Sequence, residues 1–407
     1  MTVPSVSPGH RLQLLQGGVA CFAAMVAAID RSTQEVRLET YIFSFDASGE
    51  RVAAALVRAA RRGVPVYLVM DGIGTPSVPA DWVHRFTEAG VRWHLFSPLG
   101  RWGLLIPGRW RRLHRKLCVV DARVAFCGGI NILDDYYEPD HTTLDAPRFD
   151  FSVQVEGPLV ADAHRVMAQF WERLQITRQL ERLEFEEARQ SLQKVFMQEP
   201  GAVAMPGATT GSGAGFGASA ALVLRDNVRN RTRIEQVYRK AIAEARQEVL
   251  IANAYFVPGG KLRRALVHAA GRGVRVRLLL QGRYENFMQY HAARPVYGQL
   301  LAAGIEIHEY AASFLHAKVA VIDGQWATVG SSNLDPLSLL LAREANVVVE
   351  DGAFVQELRT CLTTAMDTQA QRLDAQVFAS RPWRQRFLDR LAFWLMRLML
   401  FLTGSRY

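Results

Sequence analysis

The sequence predicts an α/β protein of two pseudo-two-fold-related α/β/α domains, each with a mixed, mostly parallel sheet flanked by helices. Three observations predict it. The string His114-Arg-Lys116-Leu-Cys-Val-Val-Asp121, followed six residues on by Gly128-Gly129-Ile130-Asn131, is nearly repeated as His316-Ala-Lys318-Val-Ala-Val-Ile-Asp323 and, after the same gap, Gly330-Ser331-Ser332-Asn333. The surrounding chain repeats too: residues 55–64 match 265–274, and Ala89-Gly90-Val91 matches Ala303-Gly304-Ile305. Helix and strand periodicities alternate along both copies, the βαβ rhythm of a sheet covered by helices. A chain of 407 residues exceeds what one core usually holds, and duplication explains the excess.

Taken in order, residues 17–29 place Phe22, Met25, Val26 and Ile29 at helical spacing and predict an amphipathic helix. Val36 to Phe43 alternates as a strand, with Glu39 and Tyr41 on one face. Residues 51–62 predict a helix closed by Gly63, and 64–70 the next strand. In each motif His and Lys run into four apolar residues, Leu117 to Val120 and Val319 to Ile322. These predict buried strands with His and Lys on a common face. Residues 178–198 predict a charged packing helix. Pro200 to Ala220 carries no charge and is almost all Gly, Ala, Ser, Thr and Pro, too little large apolar surface to order itself. The expected boundaries are 1–198 for the first domain, 199–221 for a flexible linker, 222–380 for the second domain and 381–407 for an apolar, amphipathic C-terminal helix.

Apolar residues make up 49% of the chain and charged ones 21%, a globular composition that excludes disorder. The net charge of +9 points to an acidic partner, and charge alone fits an anionic membrane and nucleic acid equally. Cys21, Cys118, Cys127 and Cys361 lack metal spacing and read as small buried hydrophobes in a reducing compartment. No metal and no cofactor are expected. The N-terminus lacks the pattern of a secretory signal, and no uncharged stretch reaches the roughly twenty residues of a spanning helix. Membrane association is therefore expected to be peripheral. Two stretches suit it. In 101–113, Trp102, Leu104, Leu105 and Ile106 are expected to insert at an interface while Arg109, Arg111 and Arg112 meet lipid phosphates. In 381–403, Leu388, Leu391, Leu395, Leu398 and Leu402 form one stripe and Trp394 and its neighbours extend it, which predicts an in-plane anchor.

A nitrogen nucleophile, an ammonium group and an amide on one side of a strand, supplied twice, suit a phosphodiester. Attack on phosphorus needs a nucleophile, an acid for the leaving oxygen and donors for the equatorial oxygens. The doubled HxKxxxxD string with GGxN or GSxN resembles the phospholipase D superfamily, and the match covers both halves. The resemblance implies a catalytic string of His114, Lys116, Asp121, His316, Lys318 and Asp323. In it the histidines are nucleophile and general acid/base, with His114 expected to attack, and the lysines clamp phosphate. The aspartates are expected to be structural partners at the strand end. Asn131 and Asn333 are expected to donate to phosphoryl oxygens, and Ser331 to add a hydroxyl that Gly129 lacks, so that the half-sites bind phosphate unequally. Asp150 and Glu344, at matching places ahead of the next strand, are expected to orient the histidines.

Within that superfamily the layout is most similar to bacterial cardiolipin synthases of the B type, on Glu39-Thr-Tyr-Ile-Phe43, Ala59-Ala-Arg-Arg-Gly63, residues 128–131 and Asn333-Leu-Asp335-Pro-Leu-Ser338. That implies transfer of a phosphatidyl group from one phosphatidylglycerol to another through a phosphohistidine, with release of glycerol. Phosphatidylethanolamine is compatible as a donor. The implied location is the bacterial inner membrane, peripherally on its cytoplasmic face. A phospholipase D-type hydrolase is the alternative. A nuclease comes third, because it leaves the Trp-rich loop and the apolar C-terminus unexplained, so nucleic acid is not the expected partner.

Overall fold

A computed structural model describes residues 5–100, 110–138, 142–181, 217–226, 230–283, 287–335 and 342–402. The first half runs β1 (Ser7–Gln16), α1 (Gly17–Asp30), β2 (Val36–Thr40), α2 (Ala47–Arg61), β3 (Val66–Asp71), α3 (Ala80–Ala89), β4 (Arg92–Phe96), β5 (Arg112–Leu113), β6 (Lys116–Val120), β7 (Val124–Gly128), the ribbon β8 (Tyr137–Glu138) and β9 (Thr142–Thr143), β10 (Phe151–Glu156) and α4 (Leu159–Glu181). The second runs β11 (Ala218–Arg225), α5 (Arg233–Glu244), β12 (Glu248–Asn253), α6 (Gly260–Gly271), β13 (Arg275–Gln281), α7 (Phe287–Ala302), β14 (Glu306–Tyr310), β15 (Lys318–Ile322), β16 (Trp326–Gly330), β17 (Ala342–Glu350), α8 (Gly352–Thr368), β18 (Ala370–Arg372), α9 (Ala375–Ala379) and α10 (Trp383–Leu402).

The strand order β4-β3-β2-β6-β7-β10-β1 of the first half is matched by β14-β13-β12-β15-β16-β17-β11 of the second, and β1 and β11 pair at the seam to make one sheet. Parallel pairing is confined within each half to the βαβ portion, β2–β3–β4 and β12–β13–β14. The motif strands β6 and β15 lie antiparallel beside β2 and β12. They turn straight back into β7 and β16, and a turn that short joins only antiparallel strands.

Two differences from the sequence reading follow from the seam. β1 has no counterpart in the periodicity analysis; Pro8 and Gly9 at its start hide it. The segment expected as linker ends earlier than 221, because Ala218–Arg225 is strand β11, paired along β17 from Ser219↔Glu350 to Arg225↔Glu344. Small residues suit a strand between two others, where partners supply the backbone hydrogen bonds. Residues 199–216, and all but the first four residues of the expected helix over 178–198, lie outside the described residues.

The two halves pack inner face to inner face. Leu117, Val119, Ala125 and Cys127 of the first share one core with Val319, Val321, Ala327, Val329 and Val347 of the second, and α4 and α8 complete it. On the outer faces, Cys118 and Val120 join α1 and α2 in one core, and Ala320 and Ile322 join α5, α6 and α7 in another. Each motif strand is therefore buried on both faces, which its unbroken apolar run requires. The lysine at its start is held at the top of a rigid element.

Candidate active site

Each half reaches across to build the other's site. β5 pairs in parallel with the start of β17, Arg112↔Ala342 and Leu113↔Arg343, and the His114 N–H donates to the Arg343 carbonyl at 3.1 Å. That ladder sets His114 beside Glu344, whose carboxylate oxygens lie 3.0 and 3.1 Å from Nδ1. At the mirror position Phe149 bridges to Leu315 and the His316 N–H donates to the Phe149 carbonyl at 2.9 Å. His316 Nδ1 is then 2.6 Å from Asp150 Oδ2. Both carboxylates are buried. With Nδ1–H donated to a carboxylate, each ring keeps Nε2 as its free nitrogen.

Lys116 and Lys318 are buried, and each ammonium donates to the carbonyl of the histidine two residues before it, Lys116 at 2.7 Å. Burial brings the Lys116 amine down to about 7, partly opposed by Glu344. Burial pulls His114 below its ordinary value, and Glu344 offsets part of the fall. His316 is held well below its ordinary value by burial, then by Lys318, Lys116 and Arg148. Burial alone would raise Glu344, but His114, Lys116 and the Ser331 hydroxyl outweigh it and hold the carboxyl below the usual range. At Asp150 burial outweighs Lys318, the Phe151 N–H and Lys116 and pushes the carboxyl up to about 7.

Asn131 and Asn333 follow the ends of β7 and β16. Asn131 Oδ1 accepts from the Ile42 N–H at 3.2 Å, which leaves its amide N–H groups for a ligand, and Asn333 is nearly fully buried. Tyr41, just past the end of β2, packs its ring 5.0 Å from the His114 ring and 5.5 Å from the Lys116 ammonium. The sequence reading placed Tyr41 on the Glu39 face and gave it no role; its position at the end of β2 was the available signal. Glu39 itself forms a buried bidentate pair with Arg115.

Two expectations are corrected. Ser331 is not a phosphate ligand: it is fully buried and its hydroxyl donates to Glu344. Its counterpart is glycine for a steric reason, since a Cβ on Gly129 would lie 2.3 Å from Asp150 Oδ1. Arg112 does not face lipid: its guanidinium binds Asp71 at 2.9 Å and the Ser97 carbonyl at 3.0 Å, because the buried Asp71 carboxylate needs a counter-charge. Asp121 and Asp323, the last members of the motif strings, hold the backbone at the strand end. Each sits at the far end of its motif strand at positive φ, 53° and 51°. Asp121 accepts the backbone N–H groups of Thr33, Gln34 and Glu35 at 2.8–2.9 Å, and Asp323 those of Arg246, Gln247 and Glu248 at the same distances. Each aspartate thus ties its strand to the loop ahead of the strand alongside. Asp121→Asn is expected to cost about 1–3 kcal/mol of stability, with kcat unchanged per folded molecule, measured by thermal melts beside assays below the transition. A kcat loss without a fall in Tm would contradict the structural role.

Of the expected interface residues, Arg111 is exposed, and Trp102, Leu104, Leu105 and Arg109 lie outside the described residues. Helix α10 is docked by one face, with Asp389, Ala392 and Met396 buried and Asp389 bonded to His291 at 2.7 Å and Arg381 at 3.1 Å. Its other face exposes Trp383, Phe387, Leu391, Trp394, Leu395 and Leu398. Among the described residues no helix is long and apolar enough to cross a membrane, and no cluster of His, Cys, Asp or Glu has the make-up of a metal site.

Known proteins resemble this chain along most of its length. The family described as cardiolipin synthase, PLD-like domain, matches residues 25–143 and 238–364. Cardiolipin synthase B of Escherichia coli K12 is 37% identical over 396 residues, covering 96% of this chain and 88% of that protein. Cardiolipin synthase B of Salmonella typhi is 38% identical over 392 residues, with the same coverage. The fold is shared with the crystal structure of phosphatidylserine synthase from Haemophilus influenzae, with a TM-score of 0.66, 12% identity, and 97% and 95% of the two chains covered. With both motif copies inside the matched segments and near full-length likeness to the B-type proteins, the chain belongs to the cardiolipin synthase family of phospholipase D-like proteins.

Proposed function

We propose that this chain is a phosphatidyltransferase that makes cardiolipin, passing the phosphatidyl group of one phosphatidylglycerol to the headgroup hydroxyl of another and releasing glycerol. The observation that carries it is the crossed pair of dyads, His114 on Glu344 and His316 on Asp150, with two buried lysines that act on both rings. One imidazole attacks phosphorus and the other protonates the departing oxygen. The phosphohistidine is then taken by the incoming alcohol, whose proton goes to the second imidazole. Lys116 and Lys318 supply the positive charge that neutralises the phosphoryl oxygens, and Asn131 and Asn333 the amide donors. Purified protein incubated with phosphatidylglycerol vesicles and a chelator is expected to yield cardiolipin and glycerol. Phosphatidic acid as the main product would favour a hydrolase, and digestion of single-stranded DNA a nuclease.

The depressed Lys116 amine predicts a pH limb. Its charge is present below about 7 and lost as pH rises through that value, so affinity for the anionic donor falls on the alkaline side. A profile of kcat/KM should bend downward there; a profile flat to pH 9 would contradict the clamp role.

A membrane seat is supported by the apolar outer face of α10, and by a substrate that is itself a bilayer component. We place the protein peripherally on the inner membrane, at its cytoplasmic face, with anionic lipid as its surface partner. Trp394→Glu combined with Leu398→Glu is expected to weaken cosedimentation with phosphatidylglycerol vesicles by about tenfold or more. Activity on dispersed short-chain phosphatidylglycerol should be kept. Unchanged vesicle binding would remove α10 from the interface.

A further inference from the structure

The pseudo-two-fold makes each half a control for the other, and one surface groove breaks the symmetry. Arg62 of the first half donates to the Ile29 and Ser32 carbonyls at the end of α1, at 2.9 and 3.2 Å. Arg272 of the second donates to the Ile242 and Ala245 carbonyls at the end of α5, both at 3.1 Å. These equivalent bonds put α5 and α6 in register with α1 and α2. Between α1 and α2 the matched positions hold Val26, Ala27, Ala54 and Arg58, and Arg58 is neutralised by Asp30 at 2.9 Å. Between α5 and α6 they hold Arg239, Lys240, Arg264 and His268, and Lys261 and Arg272 complete an open groove of about 670 Å³. No carboxylate lines it. Among the described residues Arg239, Lys240, Lys261 and Arg264 form no ion pair; Arg239 and Lys261 act on the partly buried Glu235 without bonding to it.

Four cations around one groove repel one another, and an anion bound there relieves the repulsion. The fold does not require them, since the first half joins the same helix pair with apolar residues and one ion pair. What lies alongside selects the anion. α10 packs on α7, α7 on α6 and α6 on α5, and Met396 of α10 shares the outer core with all three. The groove and the exposed apolar face of α10, with Trp394 and Leu398, therefore belong to one helix layer and point away from one core. An apolar ridge that enters hydrocarbon and a cationic groove beside it are the two parts of a seat on an anionic bilayer. Resting on the membrane seat read above, we propose that the groove between α5 and α6 binds the phosphates of anionic phospholipid headgroups, outside the catalytic cleft. The helix layer of the second half, not that of the first, is then the one turned to the bilayer.

The test is cosedimentation of the full chain with phosphatidylcholine vesicles, with and without phosphatidylglycerol. The groove variant combines Arg239→Gln, Lys240→Gln, Lys261→Gln and Arg264→Gln. A control combines Arg11→Gln, Arg31→Gln, Arg85→Gln and Arg123→Gln, which removes the same charge from exposed positions of the first half. The groove variant is expected to lose about thirtyfold or more in affinity for vesicles containing phosphatidylglycerol, and the control about threefold or less. Both should keep their turnover of dispersed short-chain phosphatidylglycerol. Equal falls in the two variants, or no fall in the groove variant, overturn the proposal. Binding of single-stranded DNA that the groove variant loses while its vesicle binding is kept gives the groove to nucleic acid and overturns it too. An unchanged groove variant beside a Trp394→Glu, Leu398→Glu chain that no longer binds removes the groove and leaves the α10 seat standing. A wild type that binds neither vesicle refutes the seat itself, a distinguishable failure. Should the fourfold variant not fold, Lys261→Gln with Arg264→Gln repeats the measurement, with a loss of about fivefold expected.

Discussion

Replacing either His114 or His316 with alanine is expected to lower steady-state phosphatidyl transfer by about 10⁴-fold or more, and replacing both to lower it no further. The second half of this expectation is the more telling. Two independent catalytic groups would multiply their losses, whereas two rings serving one phosphorus act as a unit, so removing either leaves the other with nothing to do. The proposed single site accords with dyads that each join the two halves of the chain. His114 is oriented by a carboxylate 230 residues away and His316 by one 166 residues away. Turnover assays on the three variants check it. A double variant much slower than either single one would argue for two separate sites.

Changing Asp150 to Asn is expected to cost about 10²–10⁴-fold in turnover while raising thermal stability above neutral pH, two effects of opposite sign from one oxygen. The activity loss follows because the amide does not stabilise the charged ring or fix its tautomer. The stability gain follows from the proton balance. The Asp150 carboxyl is raised from 3.8 to about 7 by burial, so the folded protein binds that proton more tightly than the unfolded chain. Stability is then greatest with the proton bound and falls as pH rises from about 4 towards 7. Asparagine cannot ionise and escapes that fall. The variant should melt higher than the wild type at pH 8, with the difference closing as pH is lowered towards 4. Glu344→Gln should lose turnover without this gain, because Glu344 is held below the usual range and its charge is supported in the fold. Melting curves at pH 8 and pH 4.5 beside assays check both; a less stable Asp150→Asn at pH 8 would contradict the burial argument.

Much of this was legible in the sequence because the chemistry is written locally. His and Lys two apart, the apolar run behind them and the asparagine beyond the turn are set by strand geometry, and repetition ruled out accident. Asp150 and Glu344 were found by the same repetition. The crossing was not legible. It depends on the short ladder of Arg112 and Leu113 against β17 and on the bridge of Phe149 to Leu315, contacts too short to leave a period in the sequence. Arg112 misled for a related reason: among several arginines and a tryptophan it looks interfacial, and only the fold brings Asp71 to it. Ser331 and Gly129 look like a small difference in phosphate binding. Packed against Glu344 and Asp150, they turn out to be a difference in how each carboxylate is held.

The stereochemical course at phosphorus tests the central claim most directly. A donor phosphatidylglycerol of one configuration, made chiral by a phosphorothioate or by oxygen isotopes, would be converted and the product's configuration determined. Two successive in-line displacements, through a phosphohistidine held between His114 and His316, predict retention. Inversion would mean one direct displacement by the incoming alcohol and would contradict the account.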